Sequence, residues 1–586
     1  MKLPKWYLVF YLFPLVSIGQ IKQSAIQLNQ VGFYVNGPKL GIITGDVTDS
    51  RFYIVSSDNK DTVYTGLLSE QKKSAFSSTK TRQADFSSLQ KQGNYFVFVP
   101  GVGNSYNFAI DNFVIHKAAI ASLKAFYFIR SDFPLEEKYA GKWNRPPGHP
   151  DTSVLIHASA ADELRPEAKR ISTPGGWYDA GDYNKYVVNS GITMGTLLSA
   201  YEDFASYFRQ LNTNIPESSD SVPDILNEVV YNLRWMLTMQ DPNDGGVYHK
   251  CTNAAFDGMV MPGIPKAPRY VVQKSTAATL DFTAVTAQAG RILRDYEGRF
   301  PHLADSCLSA AAIAWKWALK NPSHIYNQKE INSKYDPDIT TGEYGDRHLN
   351  DEWMWAAAEL FVSTKNMAYY EMLMNQMKEP AILPSWANVS MLAYYSLIKN
   401  SKSLPDYTAP IVHQMKDSVL KIANAYISKM KMNAFATVIG QSAKDFIWGS
   451  NAVAANQGIL LINAYSFSND KRYLNGAISN LDYLLGRNAT GYCFLTDIGS
   501  KSPMHPHHRP SEADGITDPV PGLLVGGPNP GRQDNCTYPF MEPETSYVDS
   551  ACSYASNEIA INWNAPMVYL TNALEAIFNS SKMNSK

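Results

Sequence analysis

Two aspartates three positions apart, Asp179 and Asp182, lie in the stretch GGWYDAGDYNKY, residues 175 to 186, among glycines and the aromatics Trp177, Tyr178, Tyr183 and Tyr186. Two carboxylates on one turn can jointly position a water molecule. Flat aromatic faces beside polar groups suit the apolar faces and hydroxyls of sugar rings. The same letters also fit a structural role. An aspartate before the helical pattern YVVNSGITMGTLLSAYEDF would cap that helix by accepting a hydrogen bond from its free N–H groups. Capping accounts for one aspartate and leaves the other, and the aromatics, without a reason; from this stretch alone both readings stand.

A third carboxylate of interest, Glu558, sits in YVDSACSYASNEIAINWNAP, residues 547 to 566, with Asp549, Tyr554 and Trp563 around it. Partly apolar, aromatic surroundings raise a carboxyl pKa and suit a proton donor. The alternative is a glutamate at a helix start, facing the positive end of the dipole. Between these regions, SPMHPHHRPS carries His505, His507, His508 and Arg509. Neighbouring histidines split by a proline do not converge readily on one metal, and no H-E-x-x-H or cysteine pair accompanies them. They read better as directional donors that bind hydroxyls or orient a carboxylate.

These residues need a large scaffold. The chain has 586 residues, 45% hydrophobic and 18% charged, with a formal net charge of −2, so it can bury a large core and has no general attraction to polyanions; nucleic acid is not an expected partner. MKLPK, the apolar run Trp6 to Val16 and the small residues before Gln20 read as a secretory signal over residues 1–19, without a lipid-attachment cysteine. No later run is apolar and long enough for a membrane helix, so the expectation is a secreted or periplasmic protein with no integral membrane association. Residues 22–115 alternate short apolar and polar positions between Gly, Asn, Asp and Ser turns, which predicts a small all-β sandwich. From 116 to about 580, helical periodicity takes over and strand signals nearly vanish. That predicts one all-α domain of paired helices, with the long loops gathered at one end. Of the five cysteines, Cys536 and Cys552 are the best candidates for a bridge, and at least one must stay unpaired within a monomer.

Together these motifs resemble glycoside hydrolase family 9, the inverting cellulase family, preceded by its immunoglobulin-like domain. GGWYDAGDYNKY resembles the family's N-terminal active-site motif, PHHR its histidine motif and YVDSACSYASNEIAINWNA its acid motif, with support from GGVYHK, KSTAATLDF, NDEWMWAAAEL, WGSNAVAANQG and PVPGLLVGGPN. The resemblance implies an (α/α)6 barrel of helical hairpins, with Asp182 as general base, Asp179 as its companion on the water and Glu558 as general acid. It also puts His507, Arg509 and Asp549 in the active site and His249 and Trp448 at sugar-binding positions. Trp563 stands where many members have Tyr, and Trp177 and Tyr178 are read as further sugar contacts. Asp351 and Glu352, in GEYGDRHLNDE, resemble a calcium site of the family, with a surface acidic pair as the alternative. Many members carry a Cys/His zinc site before the catalytic turn. Here that region has His116, His149 and His157 but no cysteine between Phe113 and Gly175, so zinc is not expected. No cofactor is required for the chemistry.

Inverting cleavage needs an acid on the leaving oxygen and a base that drives water onto the opposite face, the two carboxyls being about 6.5–9.5 Å apart. The expected function is endo-acting hydrolysis of β-1,4-glucans by a monomer. An exo-acting hydrolase of cellodextrin or glucosamine ends is the alternative within enzymes, and a non-catalytic glucan-binding protein the alternative outside them.

Overall fold

The computed structural model describes residues 25–583, and the leader read at residues 1–19 lies outside them. Two antiparallel-rich sheets, one of four strands and one of six, form a sandwich whose strands run from Ile26 to Ile110. Alternation along Arg51–Ser56 and Gly93–Val99 turns Phe52, Ile54, Tyr95 and Val97 inward, onto Phe33, Phe86 and Phe108.

Helical structure begins at His116. Among the described residues, twelve helices have ten or more residues; ten pair as five consecutive hairpins, and His116–Phe128 packs on Ile561–Met583 to close the ring. The helices Val187–Phe208, Thr276–Leu293, Asn350–Thr364, Ser390–Asn400, Ser450–Ser468 and Ile561–Met583 form the inner ring, each backed by an outer helix. Inner helices are apolar on most sides, which is why Thr276–Leu293 shows so little amphipathicity: nearly every residue of it is buried.

A third sheet was not expected. Val154–Ile156, Arg170–Ile171, Lys185–Tyr186, Lys250–Asn253 and Arg269–Val271 make five short strands on the loop side of the barrel. Segments of two to four residues are too short to show a period of two, so sequence patterning does not reveal them. This sheet holds the end of the turn that carries Asp179 and Asp182, because Tyr186 pairs with Lys250.

The sandwich is fixed to the barrel by buried polar contacts: Asn29 Nδ2 donates to Asp482 Oδ1 (2.8 Å) and Tyr34 OH to Glu575 Oε1 (2.8 Å). A sandwich loop also reaches the segment that carries Asp549, where Ser77 donates to Glu544 and Ser78 N to Glu542 Oε1 (2.7 Å). Cys536 and Cys552 are joined in a disulfide that closes this segment, and Cys251, Cys307 and Cys493 are free and buried.

Candidate active site

The catalytic turn leaves no room for variation in its backbone. Gly176 has φ +81°, and a Cβ there would fall 2.7 Å from the Trp235 ring; a Cβ on Gly181 would fall 2.1 Å from His507 O. The helix that follows starts at Val187, and its N-cap, Tyr186, has no side-chain cap. Neither aspartate caps it, so the structural alternative for the pair falls away.

Two further stretches of chain, 507–509 and 557–561, are stitched to this turn and to each other. Arg509 N donates to Gly181 O (3.2 Å), His507 N to Asn557 O (2.8 Å) and Ile561 N to Asp179 O (2.9 Å). Residues 376 positions apart in sequence, Asp182 and Glu558, are thereby brought to one place: Ala180 bridges to Ala560 and His507 to Glu558, and the Asp182 charge acts on the Glu558 carboxyl. Glu558 has extended backbone (φ −72°, ψ 157°) ahead of the helix Ile561–Met583. The helix-start alternative for it therefore also falls away.

The three carboxyls differ in their surroundings. Asp179 is buried; its Oδ1 accepts from Asn189 Nδ2 (2.8 Å) and its Oδ2 from Tyr344 OH (2.8 Å). Burial, reinforced by the neighbouring Asp182 charge, pushes its carboxyl up to about 8 despite those two donors. The surroundings of Asp179 thus bias it toward its protonated form. Asp182 accepts on Oδ2 alone, from Asn184 Nδ2 (2.5 Å) and Tyr186 OH (3.2 Å), and Oδ1 has no protein partner. Glu558 is raised well above the ordinary carboxylate range by burial first and then by the charges of Asp182 and Asp179, while Arg509 pulls the other way. A carboxyl kept protonated beside one with a free lone pair is the acid–base pairing that hydrolysis of an acetal requires.

His507 donates from Nδ1 to Ala551 O (2.6 Å), which leaves Nε2 as an acceptor, and burial lowers its pKa. Asp549 is a brace for the histidine segment: its oxygens accept from Met504 N (2.8 Å), His505 N (2.9 Å) and Asn557 Nδ2 (3.2 Å). Trp448 is exposed (41%) and packs against Tyr554, whose ring meets His507, so an aromatic surface adjoins the acid. Trp563 is packed behind it because Gly449, the next residue after Trp448, has no side chain: a Cβ there would fall 2.6 Å from Trp563 Nε1.

Four expected sugar contacts are placed elsewhere. Trp177 is fully buried against Phe126 and directs Nε1 at Glu228, and Tyr178 is buried with its hydroxyl on Gly148 O (3.0 Å). His249 has both ring nitrogens engaged, on Ser275 Oγ and Glu343 O (2.8 Å each), and stacks on Tyr326. Arg509 is buried and gives Nη1 to Gly181 O (2.7 Å) and Nε and Nη2 to Asp257 O, fastening the catalytic turn. In each case a packing requirement has the same residue type as a binding one, and spacing does not separate them. Asn184, Asn189 and Tyr344, which sequence reading missed, touch the two aspartates directly, as does Tyr186, read there only as an aromatic face; Asn184, Tyr186 and Asn189 lie within ten residues of Asp179.

For metals, chemistry and arrangement can be compared. Asp351 and Glu352 are buried, which excludes a surface pair, and Asp346 and Asp281 act on them. Both oxygens of Asp281, Oδ2 of Asp346 and Oε2 of Glu352 lack hydrogen-bond partners, an all-oxygen donor set of the kind calcium takes. Yet among the described residues no three acidic, His or Cys groups converge as a ligand set. The zinc region fits less well. His149 and His157 bond to separate partners, and the Asp151 carboxylate is held by Lys185 (2.7 Å) and Arg269 (2.9 Å), so cations of the chain occupy its oxygens.

The sequence model described as "Glycosyl hydrolase family 9" matches residues 116–571, and "Cellulase N-terminal ig-like domain" matches residues 22–104. The chain is 45% identical over 562 residues to the "Xyloglucan-specific endo-beta-1,4-glucanase" of Bacteroides ovatus, covering 96% of this chain and 95% of that one. It is 34% identical to "Endoglucanase D" of Acetivibrio thermocellus, over 93% of this chain and 82% of that one. Among solved structures, "Bacteroides ovatus GH9" superposes with TM-score 0.91 at 44% identity, covering 95% of this chain and 100% of that one. A metagenome-derived family 9 endoglucanase gives 0.85 at 32%, over 94% and 98%.

Proposed function

The chain belongs to glycosyl hydrolase family 9, and we propose that Asp182 is its general base, Glu558 its general acid and a xyloglucan-type β-1,4-glucan its substrate. It is an endo-acting β-1,4-glucanase that inverts the anomeric centre and needs no cofactor for the chemistry. The observation that carries the assignment is the difference between the carboxyls around Gly181. Asp182 Oδ1 has no partner of its own, whereas Glu558 is biased by burial and like charge toward its protonated form. In this reading water held at Asp182 Oδ1 attacks the anomeric carbon and gives its proton to that oxygen. The Glu558 proton passes to the leaving glycosidic oxygen, so both carboxyls exchange protonation state in one turnover. Asp179 assists in holding the water, His507 Nε2 accepts from a sugar hydroxyl, and Trp448 forms the stacking surface, backed by Trp563.

The preference for a branched glucan rests on the Bacteroides ovatus relative. Hydrolysis rates on xyloglucan, mixed-linkage glucan and a soluble cellulose derivative test it, and a lower rate on xyloglucan than on the other two would reject it. Asp182→Ala and Glu558→Gln should each lose activity by a factor of a thousand or more, roughly the effect of removing an acid–base group. A first-formed product with the β-anomer, read by NMR, would reject the roles. A structural calcium held by Asp351 and Glu352 belongs to this reading and supplies charge neutralisation only. Secretion, on the strength of residues 1–19, and a monomeric state complete it; among the described residues no helix is long and apolar enough to cross a membrane.

A further inference from the structure

Lys250 is a fully buried lysine one layer beneath the catalytic turn. Its three N–H donors all go to neutral oxygens: Gln328 Oε1 (2.6 Å), Thr341 Oγ1 (3.1 Å) and Gly342 O (2.6 Å). The ammonium also lies 5.5 Å from the ring centroids of both Tyr186 and Tyr326. Burying an ammonium without a contacting carboxylate is expensive, and burial lowers its pKa to about 7, opposed by the charges of Asp182 and Glu343. A chain meant only for packing would place a leucine or methionine here, so the charge calls for a reason.

The hydrogen bonds supply one. From the ammonium, Thr341 Oγ1 accepts and in turn meets Thr252 Oγ1 at 2.6 Å; Thr252 Oγ1 donates to Asn184 Oδ1 (3.0 Å), and Asn184 Nδ2 donates to Asp182 Oδ2 (2.5 Å). A second path runs through Gln328, which accepts from the ammonium on Oε1 (2.6 Å) and donates from Nε2 to Thr341 O (2.7 Å), the carbonyl of the peptide whose N–H is Gly342 N. Gly342 N donates to Tyr186 OH (3.1 Å), and that hydroxyl donates to the same Asp182 Oδ2 (3.2 Å). In the second path every donor points from the cation toward the carboxylate, so each bond polarises the next; in the first, the Thr252 hydroxyl is shared between Asn184 Oδ1 and Asn253 O (2.8 Å).

We propose that Lys250 is a positioning residue for the general base: its ammonium polarises two hydrogen-bonded chains that both end on Asp182 Oδ2, which holds the carboxylate charge in place and leaves Oδ1 as the oxygen that takes the proton from water. The proposal rests on Asp182 being the base. The charged and titratable groups facing Lys250 are Asp182 from the turn, Glu343 from the clamped loop, Tyr186 from its paired strand, Tyr326 and His157; His249, its neighbour in sequence, and His157 both have their pKa lowered by burial.

The test is the pH profile of kcat/KM on a soluble β-glucan for the whole chain, in Lys250→Met and in Thr252→Val, which interrupts the first path without touching the charge. Loss of the cation should move the acidic limb upward by about one pH unit, as removal of a nearby opposite charge does, and lower kcat tenfold or more with KM within about twofold. Thr252→Val should move the limb the same way by less. An acidic limb unmoved in both variants, with only the melting temperature changed, would overturn the proposal; if Lys250→Met does not fold, Thr252→Val decides alone. Asp182→Ala is measured alongside. If it is inactive and the limb is unmoved, the base assignment survives and only the role of Lys250 is lost, whereas activity in Asp182→Ala removes both.

Discussion

Replacing Asp179 by Asn should make the protein relatively more stable as pH rises from 5 to 7. In the folded protein burial and Asp182 push this carboxyl up from 3.8 to about 8, while in the unfolded chain it titrates at its ordinary value. Between those values the folded state holds a proton that the unfolded state has released, so folding stability falls with rising pH. The slope for one proton is about 1.4 kcal/mol per pH unit, which over two units amounts to about 2.7 kcal/mol. Asn imitates the protonated acid: it still accepts from Asn189 and can donate to the Tyr344 hydroxyl in place of Oδ2, so it keeps the contacts and removes the titration. At about 2.1 cal/mol/K per residue, unfolding a chain of 586 residues has an entropy near 1.2 kcal/mol/K, and 2.7 kcal/mol corresponds to about 2 °C. The measurement is the difference in melting temperature between Asp179→Asn and wild type at pH 5, 6 and 7, at one scan rate. It should grow in favour of the variant by about 2 °C across the range. A difference that stays constant, or shrinks, would mean that Asp179 is already ionised in the native site and that the charge accounting around the base is wrong.

Three more outcomes follow from the geometry. Gly181→Ala should be folded but at least a hundredfold less active on a soluble glucan, because its Cβ would fall 2.1 Å from His507 O and the two backbone segments must part; near wild-type kcat would contradict the tight stitching of the site. Opening the Cys536–Cys552 disulfide with the double Ala variant should destabilise the segment between them by about 3 kcal/mol and lower kcat more than it raises KM, since that segment carries Asp549 and Ala551, the partners of the histidine segment. Calcium titrated into chelator-treated protein should raise the melting temperature, and the effect should disappear in Asp351→Asn; equal melting curves with and without calcium would leave Asp351 and Glu352 as a proton-sharing pair.

How much of this was legible in the sequence depended on the length of the pattern involved. The helical barrel shows itself because each helix repeats its period several times, and the sandwich because its strands reach six or seven residues. The five-stranded sheet beneath the turn has strands of two to four residues and leaves no trace. Asp179, Asp182 and Glu558 stood out through clustered composition, whereas their roles depend on which oxygen has a donor, a matter of contacts across long stretches of chain. Trp177 and His249 illustrate the converse. A buried indole hydrogen-bonded to Glu228 and a buried imidazole bonded at both nitrogens look, as letters, the same as sugar-binding groups. Tyr344 sits 162 residues from Asp182, and no spacing rule connects it to the pair.

The proposed acid–base division follows from a shortage of positive charge. Three carboxyls meet around Gly181, and no arginine or lysine forms a salt bridge with any of them among the described residues; Arg509 gives its hydrogen bonds to backbone carbonyls instead. Burial without a direct counter-ion forces protons onto carboxyls, and the site assigns them by differences in hydrogen bonding. Asp179 and Glu558 are pushed upward, and Asp182 is the carboxyl whose donors trace back to a buried ammonium. An open oxygen on Asp182, facing a carboxyl biased toward its protonated form, is the arrangement from which inversion can start. A salt bridge placed directly on any of the three would remove the asymmetry, because an acid held as an anion by an adjacent guanidinium has no proton to give.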